Sequence, residues 1–75
     1  MDKSELDQLR LNYKQAVERW VAAIRAEENL ATPDHSSVAV EEWDQASLAE
    51  DQARNAAKAA REEYRDALRE VLFNF

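Results

Sequence analysis

Hydrophobic residues recur at steps of three and four in both halves of the chain, the spacing that lines one face of an α-helix. In the first half these positions are Leu6, Leu9, Tyr13, Val17, Trp20, Ile24 and Ala31. In the second half they are Ala39, Trp43, Ala46, Ala53, Ala57, Ala60, Tyr64, Leu68, Val71 and Phe75. The pattern predicts one helix over about residues 4–30 and a second over about residues 37–73.

The segment 31–36 interrupts the pattern and is predicted to be the single turn. Pro33 disfavours helix at the residue before it. Four residues can each cap the start of the second helix: Thr32, Asp34, Ser36 and Ser37. At the start of the first helix, Ser4 with Asp7 resembles a capping box, and Asp2 is a rival cap. Because short connections make consecutive helices antiparallel, we predict an all-α, antiparallel two-helix hairpin that forms one domain over residues 1–75.

The segment 53–61, "ARNAAKAAR", lies inside the second predicted helix but carries no large apolar side chain. Pairing the two apolar faces around the turn gives partners whose residue numbers sum to about 70. This register places Tyr13 opposite Ala57, Val17 opposite Ala53 and Trp20 opposite Glu50. We therefore expect the first helix to supply bulky side chains and the second to supply the space that receives them.

The same register brings each tryptophan close to a glutamate on the other helix. Trp20 faces Glu50 and Trp43 faces Glu27, so each indole N–H is able to donate to a carboxylate. In the alternative, both glutamates extend into solvent and the tryptophans pack through their rings alone.

The composition excludes several kinds of site and indicates where the protein is located. Its 75 residues bury too little apolar surface to be comfortably stable without a partner. The absence of cysteine excludes disulfides and thiolate metal sites, and a single histidine, His35, cannot form a multi-histidine site. The charged N-terminus does not resemble a signal peptide, and no apolar run is long enough to span a bilayer, so we expect a cytoplasmic protein.

Angles measured from the two apolar faces place small apolar residues together on one flank of the hairpin. This predicted alanine face consists of Ala16, Ala23, Leu30, Val38, Ala49, Ala56, Ala60 and Ala67. Helix propensity alone explains some of these alanines, but it would scatter them instead of sorting them to one side. We expect the face to dock a second hairpin and form a homodimeric four-helix bundle. This architecture resembles that of small dimerising hairpins, the Rop-type plasmid copy-number regulators among them, in shape only.

The predicted second helix extends past the start of the first and leaves an apolar end. That end consists of Leu68, Val71, Leu72, Phe73 and Phe75. Exposed apolar clusters often mark contact sites, so we expect this end to serve either the dimer or a different protein partner.

The opposite flank is basic and supports an alternative function, RNA or DNA binding. Its residues are Arg10, Lys14, Arg25, Arg54, Lys58, Arg61, Arg65 and Arg69. Helix-dipole and i,i+4 charge pairing explain most of these charges without a ligand, and the net charge of −6 opposes nucleic acid. We therefore do not expect nucleic acid to be the main partner.

No residue pattern in the chain indicates catalysis. Di-iron helical bundles need a Glu-x-x-His pair, and phosphate-binding loops need glycine, and the chain contains neither. We expect no enzymatic activity, no metal, no cofactor and no membrane partner. The leading hypothesis is a small acidic interaction or structural module of unknown specific role.

Overall fold

The protein folds as a hairpin of two long helices joined by a short turn. The structure, a computed structural model, describes residues 2–33 and 35–73. Helix α1 spans Lys3–Leu30 and helix α2 spans Ser37–Phe73, and the two helices contact each other. The prediction of an all-helical, two-helix fold is confirmed, and the observed bounds agree with the predicted ones to within one residue.

Each helix begins at a side-chain cap. The Asp2 carboxylate accepts a 2.8 Å hydrogen bond from the backbone N–H of Glu5, so Asp2 is the N-cap of α1. The predicted capping box begun by Ser4 is therefore wrong, because Ser4 already lies inside the helix, and the rival Asp2 is the cap. At the start of α2 the Ser36 hydroxyl accepts from the backbone N–H of Ala39 at 3.2 Å. Both caps satisfy a backbone donor that the first helical turn leaves without a partner.

The side chains at which the helices meet form a seam that follows a strict seven-residue repeat. On α1 the half-buried and buried positions at this spacing are Leu6, Leu9, Tyr13, Ala16, Trp20, Ala23, Glu27 and Leu30. On α2 the corresponding positions include Ala39, Ala46, Glu50, Ala53, Ala57, Ala60, Tyr64 and Ala67. Such a repeat keeps both seams facing each other along a left-handed supercoil.

Small side chains occupy the centre of this seam. Ala57 and Ala67 are 3% exposed and Ala16 is 6% exposed. Tyr13, Val17 and Trp20 lie around one hollow with Ala57. The expectation that bulky residues of α1 pack over alanines of α2 is therefore met in the middle of the hairpin.

Two side-chain contacts fix how the helices are aligned. The Trp20 indole N–H donates a 2.7 Å hydrogen bond to the Glu50 carboxylate, which is the pair that the sequence predicts. Nearer the open end of the hairpin, where α1 begins and α2 ends, the rings of Tyr13 and Tyr64 lie 6.3 Å apart between centroids. Taken together, the two contacts require antiparallel helices, because the higher-numbered residue of α1 meets the lower-numbered residue of α2.

The second predicted indole contact does not form. Within residues 2–33 and 35–73, Trp43 has no hydrogen bond to Glu27, although both side chains line the same hollow. Trp43 is 38% exposed, so its indole N–H has access to water and does not need the carboxylate.

The core of the hairpin is thin. In the described part of the chain the buried side chains are those of Ala16, Ala57 and Ala67, and no large side chain is fully buried. Two helices that share one interface leave the outer part of each bulky residue in contact with water. A lone hairpin therefore gains little from burial of its largest apolar residues.

Candidate functional site

The structure divides the predicted alanine face between the seam and the surface. Ala16 and Ala67 are buried in the seam, and Ala23, Leu30 and Ala60 are half-buried there. Ala16 and Ala67 are therefore too buried to contact a second hairpin, and the prediction that they form part of a docking face is wrong. For Ala23, Leu30 and Ala60 it stays a prediction. A straight-helix projection at 100° per residue placed Ala16 and Ala67 beside the seam, whereas the seven-residue repeat of the buried positions brings them into it.

Three residues of the predicted alanine face remain accessible. Val38 is 63% exposed, and Ala49 and Ala56 are exposed as well. Their side of the hairpin also carries the exposed Ala22 and Ala59. This remaining surface consists mainly of alanines, and each alanine side chain contributes little apolar area.

The apolar end lies where the sequence predicts it. Val71, Leu72 and Phe73 are 46%, 70% and 62% exposed, while Leu68 is half-buried. Phe75 lies outside the described residues. The last turn of α2 thus presents large apolar side chains to solvent at the open end.

Three shallow hollows that both helices line follow one another along one side of the hairpin. The hollow at the turn is lined by Leu30, Ala31, Val40 and Trp43 among others. The next one lies among Ile24, Glu28, Trp43 and Glu50, and the third among Tyr13, Val17, Lys58 and Arg61. These shared linings show which rows of α1 and α2 lie on the same side.

We call this side the groove face. It comprises the two rows of residues next to the seam on that side of each helix. The contribution of α1 is Lys3, Asp7, Arg10, Lys14, Val17, Val21, Ile24, Glu28 and Ala31. The contribution of α2 is Val40, Asp44, Ser47, Asp51, Arg54, Lys58, Arg61, Arg65, Leu68 and Leu72.

Most of the predicted basic residues lie together on the groove face, in the half nearer the open end. Those residues are Arg10, Lys14, Arg54, Lys58, Arg61 and Arg65. Arg25 and Arg69 instead project from the outer sides of the two helices, opposite the seam. The structure therefore supports a basic cluster but not a continuous basic face along the hairpin.

Ion pairing within the hairpin occupies some of these cations. The Arg54 guanidinium contacts the Asp51 carboxylate at 2.9 Å and Glu50 at 3.7 Å. Arg10 and Arg65 are each 4.0 Å from an acid on their own helix, Asp7 and Glu62 respectively. Such long, exposed pairs contribute at most about 1 kcal/mol, so these two cations remain available to an external partner.

Glu50 is the polar centre of the seam. Its side chain is 13% exposed, and its carboxylate accepts from the Trp20 indole and lies beside Arg54. The arrangement satisfies a carboxylate that would otherwise be costly to bury. Because its hydrogen bond joins the two helices, Glu50 helps to align them.

The described residues contain no group of three or more His, Cys, Asp or Glu side chains placed to hold a metal ion. Within the same residues, neither helix has a stretch with the length and hydropathy needed to cross a membrane.

Comparisons with family models, with curated proteins and with solved structures found no significant match to this chain.

Proposed function

We propose that the protein is a non-enzymatic interaction module that self-associates into a homodimeric four-helix bundle. The observation that carries the proposal is the incomplete core: within residues 2–33 and 35–73 no large side chain is fully buried. Full burial of one large apolar side chain is worth about 1.5–3 kcal/mol. A second hairpin stacked on the first would bury many of them at once.

Large apolar residues are also exposed in positions that a second hairpin can cover. Val21, Val40 and Trp43 are 39%, 46% and 38% exposed, and all three lie on or beside the groove face. Clusters of exposed apolar residues bordered by charges are typical of contact surfaces between proteins.

The two broad sides of the hairpin compete for the role of dimer interface. The side with Ala49 and Ala56 offers methyl groups, while the groove face offers Val17, Val21 and Ile24. Larger apolar area favours the groove face. The predicted interface on the alanine face remains the alternative, reduced to its exposed residues.

Sedimentation equilibrium tests self-association directly. We expect the apparent mass to rise with protein concentration from 8.7 kDa toward twice that value. A mass that stays at 8.7 kDa at high micromolar concentration would refute the proposal.

A second candidate function is binding to the phosphate backbone of RNA or DNA. It is favoured by Lys58 and Arg61, which line one hollow and, within the described residues, make no ion pair. Net charge opposes it, as does the acidic half of the same face. Binding of bulk RNA or DNA that weakens steeply with added salt would support this function, and no binding at low salt would exclude it.

A further inference from the structure

Charge on the groove face is divided along the length of the hairpin. The half toward the open end is mainly basic and carries Arg10, Lys58 and Arg65, with Asp7 as its acid, and the half toward the turn carries Glu28, Asp44 and Asp51. Between them, α1 presents Val17 and Val21. A surface with opposite charges at its two ends is complementary to a copy of itself turned end to end.

Two charged residues of α1 are symmetric about the midpoint of its central valines. Arg10 lies nine residues before the midpoint of Val17 and Val21, and Glu28 lies nine residues after it. At 1.5 Å per residue, each charge is about 14 Å from that midpoint.

The positions on α2 have the same symmetry. Lys58 with Asp51, and Arg65 with Asp44, are both centred between Arg54 and Asn55. Arg65 and Asp44 are each about 16 Å from that centre along the helix, and Lys58 and Asp51 are each about 5 Å from it.

Both centres lie at the same level of the hairpin. The Tyr13–Tyr64 contact places residue 19 of α1 level with residue 58 of α2, and the Trp20–Glu50 contact places it level with residue 51. The α2 centre at residues 54–55 lies midway between these two levels. One axis perpendicular to the helices therefore passes through both centres.

We infer that a second copy of this chain docks on the groove face about this two-fold axis. The inference rests on the proposed self-association and names its surface. In the dimer α1 lies antiparallel on α1 and α2 antiparallel on α2, so that Val17 packs on the partner copy's Val21. Arg10 then lies opposite the partner's Glu28, and Arg65 opposite the partner's Asp44.

The area of the groove face and the apolar residues at its two ends are consistent with this docking. The hairpin measures 56 by 17 Å across its broad side, which leaves room for an interface of about 800 Å² per copy, the size typical of stable complexes. The same rotation brings Leu68 at the open end opposite Glu41 of the partner copy, next to the partner's Val40 and the apolar hollow at its turn. Apolar residues at both ends are thereby covered.

Charge reversal at one pair tests the inference, with sedimentation equilibrium as the readout. Arg65→Glu alone and Asp44→Lys alone each place like charges opposite each other twice in a homodimer. We expect each variant to weaken self-association by about tenfold or more. An equimolar mixture of the two variants restores both attractive pairs, so a heterodimer forms with an affinity near that of the parent.

Two further variants serve as controls. Arg69→Glu makes the same charge change on the outer side of α2 and is expected to leave the dimer intact. Ala49→Glu places a charge on the alanine side and is expected to do the same.

The outcomes separate this inference from the proposed function. If the parent chain self-associates and both groove-face variants associate equally well, the docking surface is wrong but self-association stands. The same holds if Ala49→Glu abolishes the dimer. A mixture that fails to recover the dimer would also overturn the docking surface. A monomeric parent chain would overturn both.

Discussion

The indole N–H of Trp20 on α1 donates a 2.7 Å hydrogen bond to the carboxylate of Glu50 on α2. The two residues are 30 positions apart in the chain, so the bond forms only when the helices have one particular alignment. It provides directional specificity in a seam made mainly of alanines and half-buried apolar residues. Every surface described above depends on this alignment.

We expect Glu50→Ala to lower the free energy of unfolding by about 1–2 kcal/mol, because it leaves the Trp20 indole N–H without its acceptor. Glu50→Gln keeps an oxygen acceptor and should lose less. Urea denaturation at one fixed protein concentration measures both changes.

Glu63→Ala is the matched control, since Glu63 is an exposed acid of the same helix. Its effect should be within about 0.5 kcal/mol. Equal losses for Glu50→Ala and Glu63→Ala would show that the indole contact does not fix the alignment.

Ala57 is the residue at which overpacking is most informative, because it is 3% exposed and lines a hollow with Tyr13 and Trp20. Ala57→Leu should destabilise the hairpin by about 1–3 kcal/mol. Ala59→Leu adds the same atoms at an exposed position of the same helix and should be nearly neutral. Thermal unfolding compares the two; an Ala57→Leu variant as stable as the parent would contradict the described seam.

The helices and the Trp20–Glu50 pairing follow from the sequence because spacing and bulk determine them, whereas the Tyr13 ring also reaches Tyr64, one heptad beyond its predicted partner Ala57. Steps of three and four residues define both spans, and the alanines around Ala57 require bulky partners such as Tyr13. The accessible faces are harder to predict. A small angular error per residue, accumulated along helices of 28 and 37 residues, moved Ala16 and Ala67 from flank to seam.

The helix caps and the tryptophan hydrogen bonds were also only partly predictable. Asp2 and Ser4 have similar capping propensities, and the position at which the helix begins selects Asp2. Trp43 and Glu27 are near each other, but the exposure of the indole removes the need for their hydrogen bond. Sequence spacing alone does not report that exposure.

Leu72 tests whether the apolar end contributes to the dimer. It is 70% exposed in the single hairpin. If the partner covers it, Leu72→Gln should raise the dimer dissociation constant by about fivefold to tenfold, because apolar burial is lost.

Leu48→Gln makes the same change at a residue that is 58% exposed on the outer side of α2, and it should leave the dimer unchanged. Sedimentation equilibrium measures both variants. Identical dissociation constants for the two would assign the apolar end to contacts outside the dimer.

The central claim is that the single hairpin has an incomplete core and is stabilised by self-association. Thermal unfolding, followed by circular dichroism over a range of protein concentrations, tests this claim most directly. Because association stabilises the folded state by mass action, we expect the melting temperature to rise by several degrees over about a hundredfold increase in concentration. A melting temperature that is independent of concentration, with full helicity retained at the lowest concentration, would contradict the account.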